Sequence, residues 1–178
     1  MGCGKTTLGR AVARSASLRL IDLDEYIEER EGMSVRQIFD THGERYFRNV
    51  EREALAEVSR MTNVLIATGG GTPCQPGLMD MMLETGTTVW LEAPIDILHR
   101  RLIEGRATRP LIASLDDNEL RSFIVKALDS RRPHYSRAAA RFDSSRLESE
   151  AEIADSTARF ITRFIAPAPD YGIQHPAP

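Results

Sequence analysis

The sequence predicts an α/β fold, a three-layer arrangement in which a parallel sheet carries helices on both faces. Short apolar runs, LRLID at 18–22, NVLIA at 63–67 and TTVWL at 87–91, alternate with longer stretches of helical periodicity. The residues with the clearest chemistry also fall at the exits of these runs. Asp22 and Asp24 follow the first, and the glycines 69–71 follow the second. Ligands of open α/β sheets bind at the carboxyl ends of the strands.

The opening stretch Met1-Gly2-Cys3-Gly4-Lys5-Thr6-Thr7 leads into a helix expected to reach about Ala16. Gly2 and Gly4 let the backbone curl so that successive N–H groups face one anion. Lys5 supplies a mobile charge for outer phosphates, the Thr6 hydroxyl suits Mg²⁺, and the helix start adds its positive end. This is the back half of the pattern G-x-x-x-x-G-K-[ST]. The first glycine and its preceding buried strand would lie before Met1.

After strand 18–22, residues 24–31 form a charged helix, 35–41 a second, and Gly43 opens a third. Its three-and-four spacing puts Phe47, Val50, Ala54 and Val58 on one apolar face, with Arg48 and Glu51 able to touch on another. Strand 63–67 runs into Thr68-Gly69-Gly70-Gly71-Thr72-Pro73. A helix at 76–84 leads to strand 87–91, and Pro94 begins a helix to about Glu104. The loop 105–116 carries two arginines and a proline and is long for a compact domain, which suggests a lid. Helix 117–131, strand 139–142 and an amphipathic helix 150–165 complete one domain, 1–165. The tail 166–178, with four prolines, is expected to be disordered.

Composition narrows the possibilities. A net charge of −3 and pI near 5.8 invite neither nucleic acid nor an anionic membrane. No apolar run approaches the ~20 residues of a membrane span. Cys3 and Cys74 make neither metal spacing nor a disulfide framework, in keeping with a cytoplasmic protein. Only Lys5 and Lys126 are lysines, against 21 arginines, so a lysine at the position a phosphate loop demands is informative.

The segments GKTT (4–7), IDLDEYIE (21–28), GERYFRNVE (43–51), TGGGTP (68–73), TRPL (108–111) and RRPHY (131–135) resemble, in order and near spacing, those of shikimate kinases. The resemblance covers nearly all of 1–165. It implies a P-loop kinase fold with substrate-binding helices at about 24–62. It also implies transfer of the γ-phosphoryl of ATP to the 3-hydroxyl of shikimate, with Mg²⁺, in aromatic amino-acid synthesis, by a monomer. By the same resemblance, Gly2, Cys3, Gly4, Lys5, Thr6 and Thr7 would hold the ATP phosphates, and Thr6 and Asp22 would hold Mg²⁺. Arg109 would be the lid arginine, with Arg106 a companion, and Arg146 would lie near adenine. Asp24 would accept the hydroxyl. Arg48, Arg131 and Gly69, Gly70 and Gly71 would bind shikimate, with Arg132 competing with Arg131. Asp22 and Asp24 could instead serve as helix N-caps, since Asp24 precedes a helix.

Two other functions compete: a gluconate- or nucleotide-type P-loop kinase, and a non-catalytic binding protein with an incomplete phosphate loop. The resemblance also implies that the first, central strand is missing from this chain. The natural start is then expected roughly ten residues earlier, as an apolar strand ending in Gly-x. Each buried backbone group left unpaired by its loss would cost about 1–3 kcal/mol.

Overall fold

The computed structural model describes residues 2–106 and 112–165. Arg109, most of the expected lid and the tail 166–178 lie outside these residues. Helix α1 (Lys5–Ser15) starts at Gly4, whose φ of 82° only glycine adopts cheaply. Strand β1 (Arg19–Asp22) passes directly into α2 (Leu23–Glu31), capped by Asp22 and ended by Gly32 in the left-handed conformation. Helix α3 (Val35–Val58) opens with a capping box between Ser34 and Gln37. Its backbone kinks at Gly43 (φ 80°, ψ 172°), where the sequence places a break between two helices. The expected apolar face is buried, with Phe47, Val50, Ala54 and Val58 each at most 5% exposed.

Strand β2 (Val64–Ala67) runs into the glycine loop and a single 3₁₀ turn at Thr72–Cys74. Helix α4 (Leu78–Thr85), strand β3 (Val89–Glu92) and helix α5 (Ile95–Glu104) follow. Helix α6 (Asp117–Tyr135) begins with a second capping box, Asp116 with Glu119. It continues one turn past the expected end at Arg131, through Pro133. The expected loop is pinned at its carboxyl side, because Ile112 is fully buried beside Leu98, Leu120 and Ile124. Strand β4 (Ala140–Asp143) and helix α7 (Glu150–Phe164) close the chain.

All strand pairing is parallel, as helix-connected strands require. Among the described residues it comes in two separate pairs, β1–β2 and β3–β4. The register aligns Asp22 with Ala67 and Glu92 with Asp143, so both strands of each pair end level. The apolar interior is divided as well. One cluster joins β1, α2, α3 and Leu78, a second joins α5, α6 and Ile112, and a third joins α1, β4 and α7.

Candidate active site

The phosphate-loop residues fold as a glycine turn feeding a helix. Gly2 (φ 75°) and Gly4 (φ 82°) are both left-handed. A Cβ on Gly4 would lie 2.4 Å from the Leu147 side chain, so bulk and backbone conformation both exclude substitution there. No side chain caps the start of α1, which leaves its first N–H groups facing outward. Lys5 lies 4.0 Å from Cys3 Sγ, and Thr6 and Thr7 are exposed on the first turn.

One residue of this region escaped the sequence reading. Arg101 of α5 donates to the carbonyls of Gly2 (3.4 Å), Ser144 (3.0 Å) and Ser145 (3.0 Å), and bonds the Glu148 carboxylate at 2.9 Å. It ties the glycine turn to the segment holding Leu147. Nothing local marks an arginine ninety-nine residues away as its brace. Arg146, beside Leu147, pairs with Glu152 at 3.6 Å and is largely exposed. Arg106 is paired at 2.6 Å with Asp117, at the start of α6.

Asp22, not Asp24, is the cap of α2: its Oδ1 accepts from the Asp24 N–H at 3.1 Å. That leaves the Asp24 carboxylate free of capping duty, beside the glycine loop, where a Cβ on Gly69 would meet Asp24 Oδ1 at 3.4 Å. Burial raises the Asp24 carboxyl above its ordinary value, and Asp22 and Glu51 add to this, while Lys5 opposes it.

Beside the glycine loop is a network around one buried carboxylate. Glu51, 1% exposed, accepts from Arg48 Nη1 at 2.8 Å and from the Thr72 hydroxyl at 2.6 Å. Arg48 also bonds Glu44 at 3.1 Å and lies over the Phe47 ring at 5.1 Å. Its five-donor fork is therefore oriented from two sides. Gly71 lies against the Arg48 guanidinium, where an added Cβ would stand 3.6 Å from Nη1 and Nη2. From the opposite side, α6 brings Arg131 and Tyr135 onto Gly70. The Tyr135 hydroxyl donates to the Gly70 carbonyl at 2.6 Å, and a Cβ on Gly70 would meet Arg131 Nη1 at 2.9 Å.

Arg131, rather than Arg132, is thus the arginine at the glycine loop. Burial raises Tyr135 and Cys74 above their ordinary values although Arg131 lowers both, so each remains protonated at neutral pH. Sequence reasoning missed the parts of Tyr135 and Thr72. A tyrosine one helical turn beyond Arg131, and a threonine just after the glycines, were the available signals. Among the described residues no group of three or more His, Cys, Asp or Glu is placed to hold a metal.

A helix start in a glycine turn with a lysine, facing a half-buried aspartate and two arginines across a glycine loop, defines a P-loop kinase of small anionic molecules. The family model for shikimate kinase matches residues 1–162. The shikimate kinase of Bacteroides thetaiotaomicron is 45% identical over 89% of this chain and 91% of its own. That of Caldanaerobacter subterraneus is 38% identical over 89% and 90%. A crystal structure of the Bacteroides thetaiotaomicron shikimate kinase superposes with a TM-score of 0.88 at 44% identity, covering 92% of this chain and 93% of the other. The shikimate kinase of Acinetobacter baumannii in complex with shikimate gives 0.77 at 26% identity, covering 92% and 87%. The chain belongs to the shikimate kinase family.

Proposed function

We propose that this protein transfers the γ-phosphoryl of ATP to the 3-hydroxyl of shikimate, as a cytoplasmic monomer serving aromatic amino-acid synthesis. The observation that carries the reading is the convergence of Arg48, Arg131 and Asp24 on Gly69, Gly70 and Gly71. Two arginines suit one carboxylate, since a guanidinium can donate two parallel hydrogen bonds to it. Glycines let the acceptor approach backbone N–H groups. Asp24 then faces one hydroxyl, and its raised proton affinity makes it a stronger base than an exposed aspartate.

On the nucleotide side, Gly2, Cys3, Gly4, Lys5, Thr6 and Thr7 cradle the phosphates. Arg109 carries the lid role that the family resemblance gives it, and Arg146 lies toward the adenine. Mg²⁺ binds with few protein ligands, keeping waters and phosphate oxygens. One hydroxyl and one carboxylate, Thr6 and Asp22, fit that habit, and a dedicated cage of acids would not be needed. When bound, the ion would neutralise phosphate charge. Phosphoryl transfer asks the protein mainly for positioning and charge stabilisation, which is what these residues offer.

The test is ADP release from ATP with shikimate, gluconate or nucleoside monophosphates as acceptor, with the product identified by mass. Shikimate-dependent release giving a 3-phosphate is expected. Nucleotide binding without turnover on shikimate would instead favour a non-catalytic binding protein, and turnover on another acceptor a different kinase.

A further inference from the structure

A guanidinium has five N–H groups to give. Among the described residues, three of those on Arg48 are taken. Nε and Nη2 each donate to Glu44 Oε1, at 3.3 and 3.1 Å, and Nη1 donates to Glu51 Oε2 at 2.8 Å. One N–H on Nη1 and one on Nη2 are left, on the two nitrogens that face Gly71. How many remain depends on how Glu51 sits. A carboxylate beside a guanidinium commonly takes two parallel N–H groups, one on each oxygen. Glu51 takes one, because its Oε1 accepts instead from the Thr72 hydroxyl at 2.6 Å. Thr72 is 0% exposed and held in place by its own backbone. Its N–H donates to the Gly69 carbonyl at 3.2 Å, and its carbonyl accepts from the Gln75 N–H at 3.1 Å.

We propose that Thr72 is a positioning residue for the acceptor. Its hydroxyl holds Glu51 to a single bond with Arg48, and so reserves the second N–H of Nη1, with its neighbour on Nη2, for the acceptor's carboxylate. The inference rests on the reading of Arg48 as a carboxylate-binding arginine and says what keeps that arginine open. Glu51 is 1% exposed, so solvent does not replace a lost hydroxyl at Oε1. A buried acceptor oxygen without a donor is costly, and the spare donors at hand are those of Arg48. Without Thr72 the pair closes into a two-bond ion pair, and the acceptor loses one of its two contacts. The position therefore calls for a hydroxyl. Serine supplies one; valine matches threonine in shape and offers no donor.

Calorimetric titration of the full chain with shikimate and with an ATP analogue tests this. The proteins are the parent, Thr72→Val, Thr72→Ala, Thr72→Ser, Arg48→Ala, and each of Thr72→Val and Thr72→Ala combined with Arg48→Ala. Thr72→Val and Thr72→Ala should each weaken shikimate binding about ten- to a hundredfold, the range for one hydrogen bond to a charged group. Affinity for the ATP analogue should stay at the parent value, and Thr72→Ser should bind shikimate as the parent does. In the Arg48→Ala background the loss of the hydroxyl should cost less than about threefold, because no fork is left to close. If Thr72→Val does not fold, Thr72→Ala carries the same comparisons. A loss of the same size with and without Arg48 would overturn the proposal, since Thr72 would then shape the glycine loop and not the arginine. Equal weakening of both ligands, parent-like shikimate binding without the hydroxyl, or failure of serine to restore binding would overturn it as well. Shikimate binding that Arg48→Ala leaves unchanged is a distinct result: it removes the reading of Arg48 itself, and this proposal with it.

Discussion

Asp24 carries two opposing demands, and both can be measured. Its carboxylate is raised by burial, with Asp22 and Glu51 adding to the effect, so ionisation costs more in the folded protein than in the unfolded chain. The folded protein then binds more protons than the unfolded chain between the ordinary value of 3.8 and the raised one. Over that window this group makes stability fall as pH rises. Asp24→Asn should therefore melt above the parent at neutral and alkaline pH, with the advantage vanishing at or below pH 3.8. Turnover should fall by about 10²–10⁴, as for loss of a positioned base. Unchanged turnover would show that Asp24 does no chemistry. At Arg48, replacement by alanine should weaken shikimate binding by about 2–5 kcal/mol, the range for removing one partner of a buried charge pair. Nucleotide affinity should hardly change. Arg48→Lys should recover little of the loss, because it keeps the charge and not the fork. Calorimetry of both variants with shikimate and with an ATP analogue separates these outcomes.

Among the elements, α6 and the glycine loop act as one unit. The helix carries Pro133 inside its last turn, and the turn persists because Tyr135 is anchored on Gly70 and against the Trp90 ring, with centroids 5.7 Å apart. Tyr135→Phe deletes one hydrogen bond of about 0.5–1.5 kcal/mol and leaves the ring packing in place. The KM for shikimate should rise severalfold while the KM for ATP stays near the parent value. Equal changes in both would mean that the bond supports the fold generally and not the acceptor loop. Gly70→Ala makes a harsher version of the same test, since the new methyl must displace Arg131 or the Tyr135 hydroxyl. It should abolish shikimate binding more completely than Tyr135→Phe.

At the scale of the whole molecule, the proposed acceptor site bridges two halves that share no strand pairing among the described residues. Arg48 and Asp24 belong to the β1–β2 half, whereas Arg131 stands on α6, which packs with α5 beside β3. Shikimate should therefore act as a staple across the divide. At a hundred times its Kd it should stabilise the protein by about 2.7 kcal/mol. For a chain of this size that is a rise in Tm of roughly 5–11 °C. A thermal scan with and without shikimate checks this, and Arg131→Ala should remove most of the rise. An unchanged Tm at high shikimate would mean that the folded protein does not bind it, and a full rise in Arg131→Ala would mean that the ligand does not join the halves.

The order of elements was legible in the sequence because it rests on local physics. Apolar runs and the glycines at Gly4 and Gly43 each act within a few residues, as do the stop at Gly32 and the caps at Ser34, Asp116 and Ser149 that the structure adds. The Arg48–Glu51 contact was legible for the same reason, being one helical turn long. The candidate site was legible largely through the order of its motifs. What had to wait for the tertiary structure depends on residues that meet across long stretches of chain. Arg101 braces Gly2, Thr72 completes the bonding of Glu51, and Tyr135 overrides Pro133 by reaching Gly70. The choice of Arg131 over Arg132 belongs here too, since adjacent helical residues point in different directions and only the packing of α6 decides which one meets the loop. Which of Asp22 and Asp24 caps the helix turned on where β1 ends, a boundary one or two residues wide that composition does not define.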